Sequence, residues 1–111
     1  MRMRPIPRRL LPHSATLKTP GAADAWQQAI YAQRSLIHVR LEPSDKIIAS
    51  NDNTQRQLVC TMFFDCRNSA PRGTEFFAGQ KIVWNEREMT VMTAERFYDG
   101  NRLHHWEVGL A

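Results

Sequence analysis

The sequence predicts a mainly β protein, a small antiparallel β-barrel of about five to six strands with a long polar loop and an irregular basic N-terminal arm. Two observations carry this. Apolar residues alternate with polar ones over several short runs, and turn signals recur about every 8 to 12 residues, with little helical periodicity between them. At 111 residues the chain is long enough for one modest core, so residues 1–13 are read as an arm and 14–111 as a single barrel domain.

The arm contains Pro5, Pro7 and Pro12, too closely spaced for a helix or a central strand. "SATLK" is expected to form a first strand, ended by Pro20-Gly21. "AWQQAIYAQRSLIHVRLEP" is ambiguous in its first half. From Leu36 it resolves into a strand with Ile37, Val39 and Leu41 on one face and His38, Arg40 and Glu42 on the other. "SDKIIASNDNTQ" then reads as a loop of about a dozen residues, a length that in a small domain is usually functional or mobile.

"RQLVCTMFFDC" is the most strand-like run of the chain. Leu58, Cys60, Met62 and Phe64 share one face, Val59, Thr61 and Phe63 the other, so the strand is expected to be central and covered on both sides. "TEFFAG" suggests one helical turn or an irregular hydrophobic lid. The remainder, "QKIVWNEREMTVMTAERFYDGNRLHHWEVGL", reads as three short strands in a meander. Its turns fall near Asn85-Glu86-Arg87 and at Asp99-Gly100-Asn101, of which the second is the stronger hairpin signal. Phe64, Trp84 and Trp106 are the expected core anchors.

Five of the 15 basic groups, Arg2, Arg4, Arg8, Arg9 and Lys18, precede the first acid, Asp24. The other ten face all 11 acids, so the body is near neutral and the high pI belongs to the arm. Such an arm suits an acidic protein surface or nucleic-acid phosphates. No apolar run approaches the roughly 20 residues that cross a bilayer, so no membrane partner is expected. The basic start is not followed by an apolar segment, and two cysteines fit a reducing compartment, so a cytosolic product is expected.

"LHHWEV" near the end, with Cys60 and Cys66 upstream, raises the question of a metal or redox centre. Structural zinc favours C-x2-4-C and H-x3-5-H, spacings that C-x5-C and adjacent histidines do not match. Side chains of neighbouring residues on a regular strand point to opposite faces. Alternation would put His104, Trp106, Val108 and Leu110 on one side and Leu103, His105 and Glu107 on the other, with His104 packed beside Trp106 and His105 paired to Glu107. A Cys60–Cys66 disulfide fails on reach, because an extended run would separate the two by roughly 20 Å. No phosphate-binding glycine loop, H-E-x-x-H, G-x-S-x-G or C-x-x-C occurs, so neither catalytic activity nor a cofactor is expected.

The residues do carry a resemblance. "IPRRLLPHSATLK", "IHVRLEPS", "FFDCRNSAP", "GQKIVWNEREMTV" and "NRLHHWEVGLA", in this order and spacing, resemble the minor capsid and head-tail connector proteins of tailed bacteriophages and prophages, of the head-closure or stopper type. Where such proteins tend to carry a tight Asn-Gly hairpin, this chain has Asn85-Glu86. The resemblance implies a ring of copies below the portal that closes the head after DNA packaging and provides the tail docking surface. It implies portal or adaptor proteins and a tail completion protein as partners, with passing contact to packaged DNA. It also implies a location first in the host cytoplasm and then in the virion neck. A loop toward the lumen is implied as well, for which Ser44, Asp45, Lys46, Ile47, Ile48, Asn51, Asp52 and Asn53 are the natural candidates, and Arg4, Arg8 and Arg9 are the candidate partner contacts on the arm. The alternative is a small barrel that binds single-stranded nucleic acid through exposed aromatics. Phe63, Phe64, Phe76, Phe77, Trp84, Phe97 and Trp106, however, fall where core packing is the commoner use.

Overall fold

The computed structural model describes residues 4–23, 29–49 and 54–111. Among these residues, eight strands follow a 3-10 turn at Arg8–Leu10. They are β1 (His13–Ala23), β2 (Ala29–Pro43), β3 (Ile47–Ala49), β4 (Gln55–Gln57), β5 (Cys60–Asp65), β6 (Lys81–Trp84), β7 (Arg87–Asp99) and β8 (Arg102–Leu110). Six of them close an antiparallel barrel in the order β1-β2-β5-β8-β7-β6, and β3 pairs with β4 in a separate two-stranded sheet. Closure gives every barrel strand a partner on both sides over at least part of its length.

β5 sits between β2 and β8, with Val39 opposite Phe64 on one side and Trp106 opposite Phe64 on the other. Cys60, Met62 and Phe64 point inward and are buried, joined by Leu17, Leu36, Val39, Leu41, Ile82, Met89, Val91, Val108 and Leu110. Phe64 meets Phe76 edge-on at 5.2 Å between centroids, and Phe76 meets Trp106 at 5.4 Å. Phe76 comes from "TEFFAG", which forms no helical turn but enters the barrel as an irregular plug. Buried Gln80 holds the plug: its Oε1 accepts from Phe77 N–H, and its Nε2 donates to the Glu75 carbonyl and to Thr19 Oγ1. Trp84 is only half-buried, with its ring edge-on to His13.

Several expectations from periodicity need correction, each for a local backbone reason. β1 does not stop at Pro20-Gly21 but continues to Ala23. β6 pairs only with Thr16–Lys18, so beyond Lys18 the strand has β2 alone as its neighbour. A proline costs little there, where its missing N–H falls on an edge and the register already shifts between Pro20 and Ala23. β2 starts at Ala29, seven residues before its alternation becomes visible. Ile37 is exposed and Leu36 buried, because His38 takes a φ of 54° and the register to β1 skips between His13 and Ala15. Ile37 exchanges backbone hydrogen bonds with Ala70 instead.

The β6–β7 turn is as tight as an Asn-Gly one. Trp84 pairs with Arg87, and Asn85 and Glu86 both have positive φ, 50° and 62°. Gly100 supplies the positive φ, 61°, between β7 and β8. β7, at 13 residues, is long rather than short. On the outer surface where β1, β6 and β7 meet, the Glu88 carboxylate lies between Lys18 and Lys81, at 3.0 and 3.2 Å. Hydrogen bonds from these ammonium groups hold Glu88 below the usual carboxylate range, and Glu88 in turn raises Lys81.

Candidate functional site

Two additions to the barrel carry the residues expected to make contacts, and they sit at opposite ends of β5. Residues 4–12 form a strap at the Asp65 end, and the paired strands within residues 44–49 and 54–58 form a hairpin at the Cys60 end, roughly 17 Å away along a strand that rises about 3.3 Å per residue.

The strap lies along the barrel. The Ile6 N–H donates to Asp65 Oδ1 at 3.0 Å, and Asn68 Nδ2 returns a bond to the Ile6 carbonyl at 2.7 Å. Asp65 is fully buried, and its other oxygen accepts from the backbone N–H groups of Arg67 and Asn68. The carboxylate therefore ties the end of β5, the following turn and the strap into one unit. Further along, Leu11 is 1% exposed. Arg40 Nη1 reaches the Leu10 carbonyl at 3.3 Å. Ile6, Leu10, Leu11 and Phe63 line one groove with Arg40 and Glu42. The outer face of β5 is thus covered in part by the strap, while Val59 at the other end stays 38% exposed. Arg4, Arg8 and Arg9 are all exposed. The arm is therefore pinned through its backbone and Leu11, which leaves its guanidinium groups on the surface.

The described parts of the run expected to be a loop pair as two short antiparallel strands. Ile47 pairs with Gln57, Ile48 with Arg56 and Ala49 with Gln55. Its root continues the barrel ladder: Ser44 N–H donates to the Val59 carbonyl and Leu58 N–H to the Lys46 carbonyl. Asp45 accepts from Gln57 Nε2, and Lys46 approaches Glu95 on β7 at 3.6 Å. Ile47 is 60% exposed, the highest value among the large apolar residues described. Asn51, Asp52 and Asn53 lie outside the described residues. Neither short strand shows the alternation that marks a strand in sequence, because neither lies on the core.

"LHHWEV" departs from simple alternation. Tyr98 pairs with Leu103 and Phe97 with His105, so His104 is an extra residue in β8, a β-bulge. Leu103 and Trp106 consequently both pack toward the core although they are three apart. The same extra residue brings the two histidine rings together, contrary to the alternation argument, with their Nδ1 atoms 2.8 Å apart. His104 Nε2 lies 2.7 Å from the Arg4 carbonyl on the strap. His105 Nε2 lies 3.0 Å from Glu107 Oε2, and Phe97 stacks on the His105 ring at 4.8 Å. Leu103 and Trp106 three apart in an otherwise alternating strand are the sequence signal that predicts such a bulge. Asp65, Ser69 and Gln80, whose buried polar atoms fix the turns, carried no comparable signal.

Both cysteines are free thiols. Burial pushes both above the ordinary thiol range, with the Asp65 charge adding to the effect at Cys66. Among the described residues no cluster of three or more His, Cys, Asp or Glu side chains is arranged to hold a metal ion. No helix among them is long and apolar enough to cross a membrane.

No curated protein matches the chain. The model of a family described as minor capsid protein does match, over residues 7–110, which takes in the strap from Pro7, every barrel strand and the hairpin. A closed six-stranded barrel whose buried residues serve packing, with its unpaired features displayed at the two ends, fits a building block of a particle. The chain belongs to the minor capsid protein family, as a structural protein of the bacteriophage virion.

Proposed function

We propose that this minor capsid protein works at the head-tail interface, as a ring below the portal that closes the filled head and receives the tail. The hairpin carries this reading. Its two strands form a sheet of their own apart from the barrel, and its Ile47 is 60% exposed. A small separate sheet with an exposed apolar side chain suits contact with another chain. The strap offers a second, chemically different surface at the opposite end, with exposed Arg4, Arg8 and Arg9. A ring built from heterologous contacts needs two unlike surfaces on each subunit.

Portal or adaptor and tail completion proteins are the partners in this reading, with packaged DNA in passing contact. Imaging of virions with the labelled protein tests it: signal confined to the neck supports it, and signal spread over the head shell overturns it. Particles carrying charge reversals at Arg4, Arg8 and Arg9 are expected to assemble poorly, and unchanged infectivity would remove the arm from the account. The single-stranded nucleic-acid reading finds less support, because Phe64, Phe76 and Trp106 are spent in the core.

A further inference from the structure

The contacts around the bulge in β8 form a continuous chain: Arg4 carbonyl, His104 Nε2, His104 Nδ1, His105 Nδ1, His105 Nε2 and Glu107 Oε2. Each of its three links, at 2.7, 2.8 and 3.0 Å, needs one proton between its two atoms. A carbonyl oxygen and a carboxylate can only accept. Two neutral imidazoles bring two N–H groups, one fewer than the number of links. Every arrangement that satisfies all three therefore holds one additional proton, shared among His104, His105 and Glu107. With that proton the unit is an imidazolium beside a carboxylate. Without it, one link sets lone pair against lone pair at hydrogen-bond distance.

We propose that this relay is a proton-loaded latch on the N-terminal strap, which holds Arg4 and Pro5 on the barrel when the extra proton is present and releases them to solvent when the proton is lost. The latch acts on a limited segment, because Ile6 is held separately by Asp65 and Asn68 and Leu11 is buried. Docking takes up a proton, so it is stronger at low pH and weakens as pH rises.

The surroundings leave the relay as the responsive element. From β5, Asp65 pairs opposite His105, but its oxygens already accept from Ile6, Arg67 and Asn68. From β7, Phe97 stacks on His105, and Glu95 stands opposite Glu107 with Lys46 beside it. Arg67, Asp99 and Arg102 share the cleft formed by Pro5 and His104. Release would free the backbone of Arg4 and let its side chain reach a partner at some distance from the barrel.

The test uses the purified full-length chain. Proton–nitrogen correlation spectra of the histidine rings count ring N–H groups on His104 and His105 between about pH 5 and about pH 8. The heteronuclear Overhauser effect of the Arg4 amide follows its order over the same range. The expected result is the loss of one shared proton as pH rises, with a parallel loss of order at Arg4 and none at Ile6. Glu107→Gln supplies the missing donor from its amide, so two neutral histidines satisfy all three links. Arg4 is then expected to stay ordered at both ends of the range. A wild-type Arg4 that keeps its order throughout would overturn the latch, as would a Glu107→Gln chain with the wild-type pH response. Should that variant not fold, the wild-type spectra decide alone: two ring N–H groups at the acid end, with the Glu107 carboxyl ionised by its carbon shift and Arg4 ordered, overturn it. Neither outcome depends on where the protein sits in the particle.

Discussion

The strap and the hairpin are additions to opposite ends of one barrel, yet they are held in opposite ways. The strap has little regular structure of its own and borrows its order from the barrel through Asp65, Asn68, Arg40 and the Leu11 pocket. The hairpin makes its own ladder and touches the barrel mainly at its root, through Ser44, Lys46, Leu58 and Val59. Backbone satisfaction is a fixed requirement, and these two segments meet it by different routes. One consequence is that damage to the strap registers in the barrel's stability, while damage at the hairpin's end registers in contacts with other chains.

The largest expected effect tests the strap side of this contrast. Asp65→Ala leaves the N–H groups of Ile6, Arg67 and Asn68 without their acceptor in a buried site, a loss of about 3 kcal/mol. Urea unfolding measures it, and a loss below about 1 kcal/mol would mean that the strap is not part of the cooperative unit. Next comes the hairpin's root. A Cβ on Gly109 would collide with Thr93 Oγ1 and come within 2.8 Å of Leu58 Cδ1, the residue that leads from hairpin to β5. Gly109→Ala is expected to cost about 2 kcal/mol in the same assay, and a neutral result would show that Leu58 and the root are free to shift.

Beyond the root the effect on stability should nearly vanish. Ile47→Ala changes unfolding by no more than about 0.5 kcal/mol, as usual at an exposed site, yet it reduces particle assembly if the hairpin docks on another chain. A normal yield of infectious particles would break the proposed contrast at that end. The smallest effect concerns the two thiols, one near each end of β5. Burial raises both, so at about pH 8 each reacts with a disulfide reagent more slowly than an unstructured peptide thiol, and half-buried Cys66 reacts before buried Cys60. The reverse order would mean that the hairpin end opens more readily than the strap end.

What could be read from the sequence follows from where each strand sits. β5, β6, β8 and the first part of β7 line the core, so burial imposes the alternation that made them visible. β3, β4 and residues 32–35 of β2 are exposed or outside the core, and a strand without a buried face leaves no period-two pattern. The site was hidden for a related reason. Alternation argued correctly that His105 and Glu107 could pair, but the bulge at His104 reversed the parity before it, bringing Leu103 inward and the two histidine rings together.

The strand order β1-β2-β5-β8-β7-β6 also has a consequence for how the chain reaches its folded state. β6 and β7 meet across a two-residue turn, and β1 and β2 are neighbours in sequence, so both pairs can form early from local contacts. β8 is the element that joins β7 to β5. Until Arg102–Leu110 is in place, β5 presents a full edge of unpaired backbone beside apolar Met62 and Phe64, a template for association with another unfinished copy. Closing the barrel therefore also covers the edge through which one unfinished copy could pair with another.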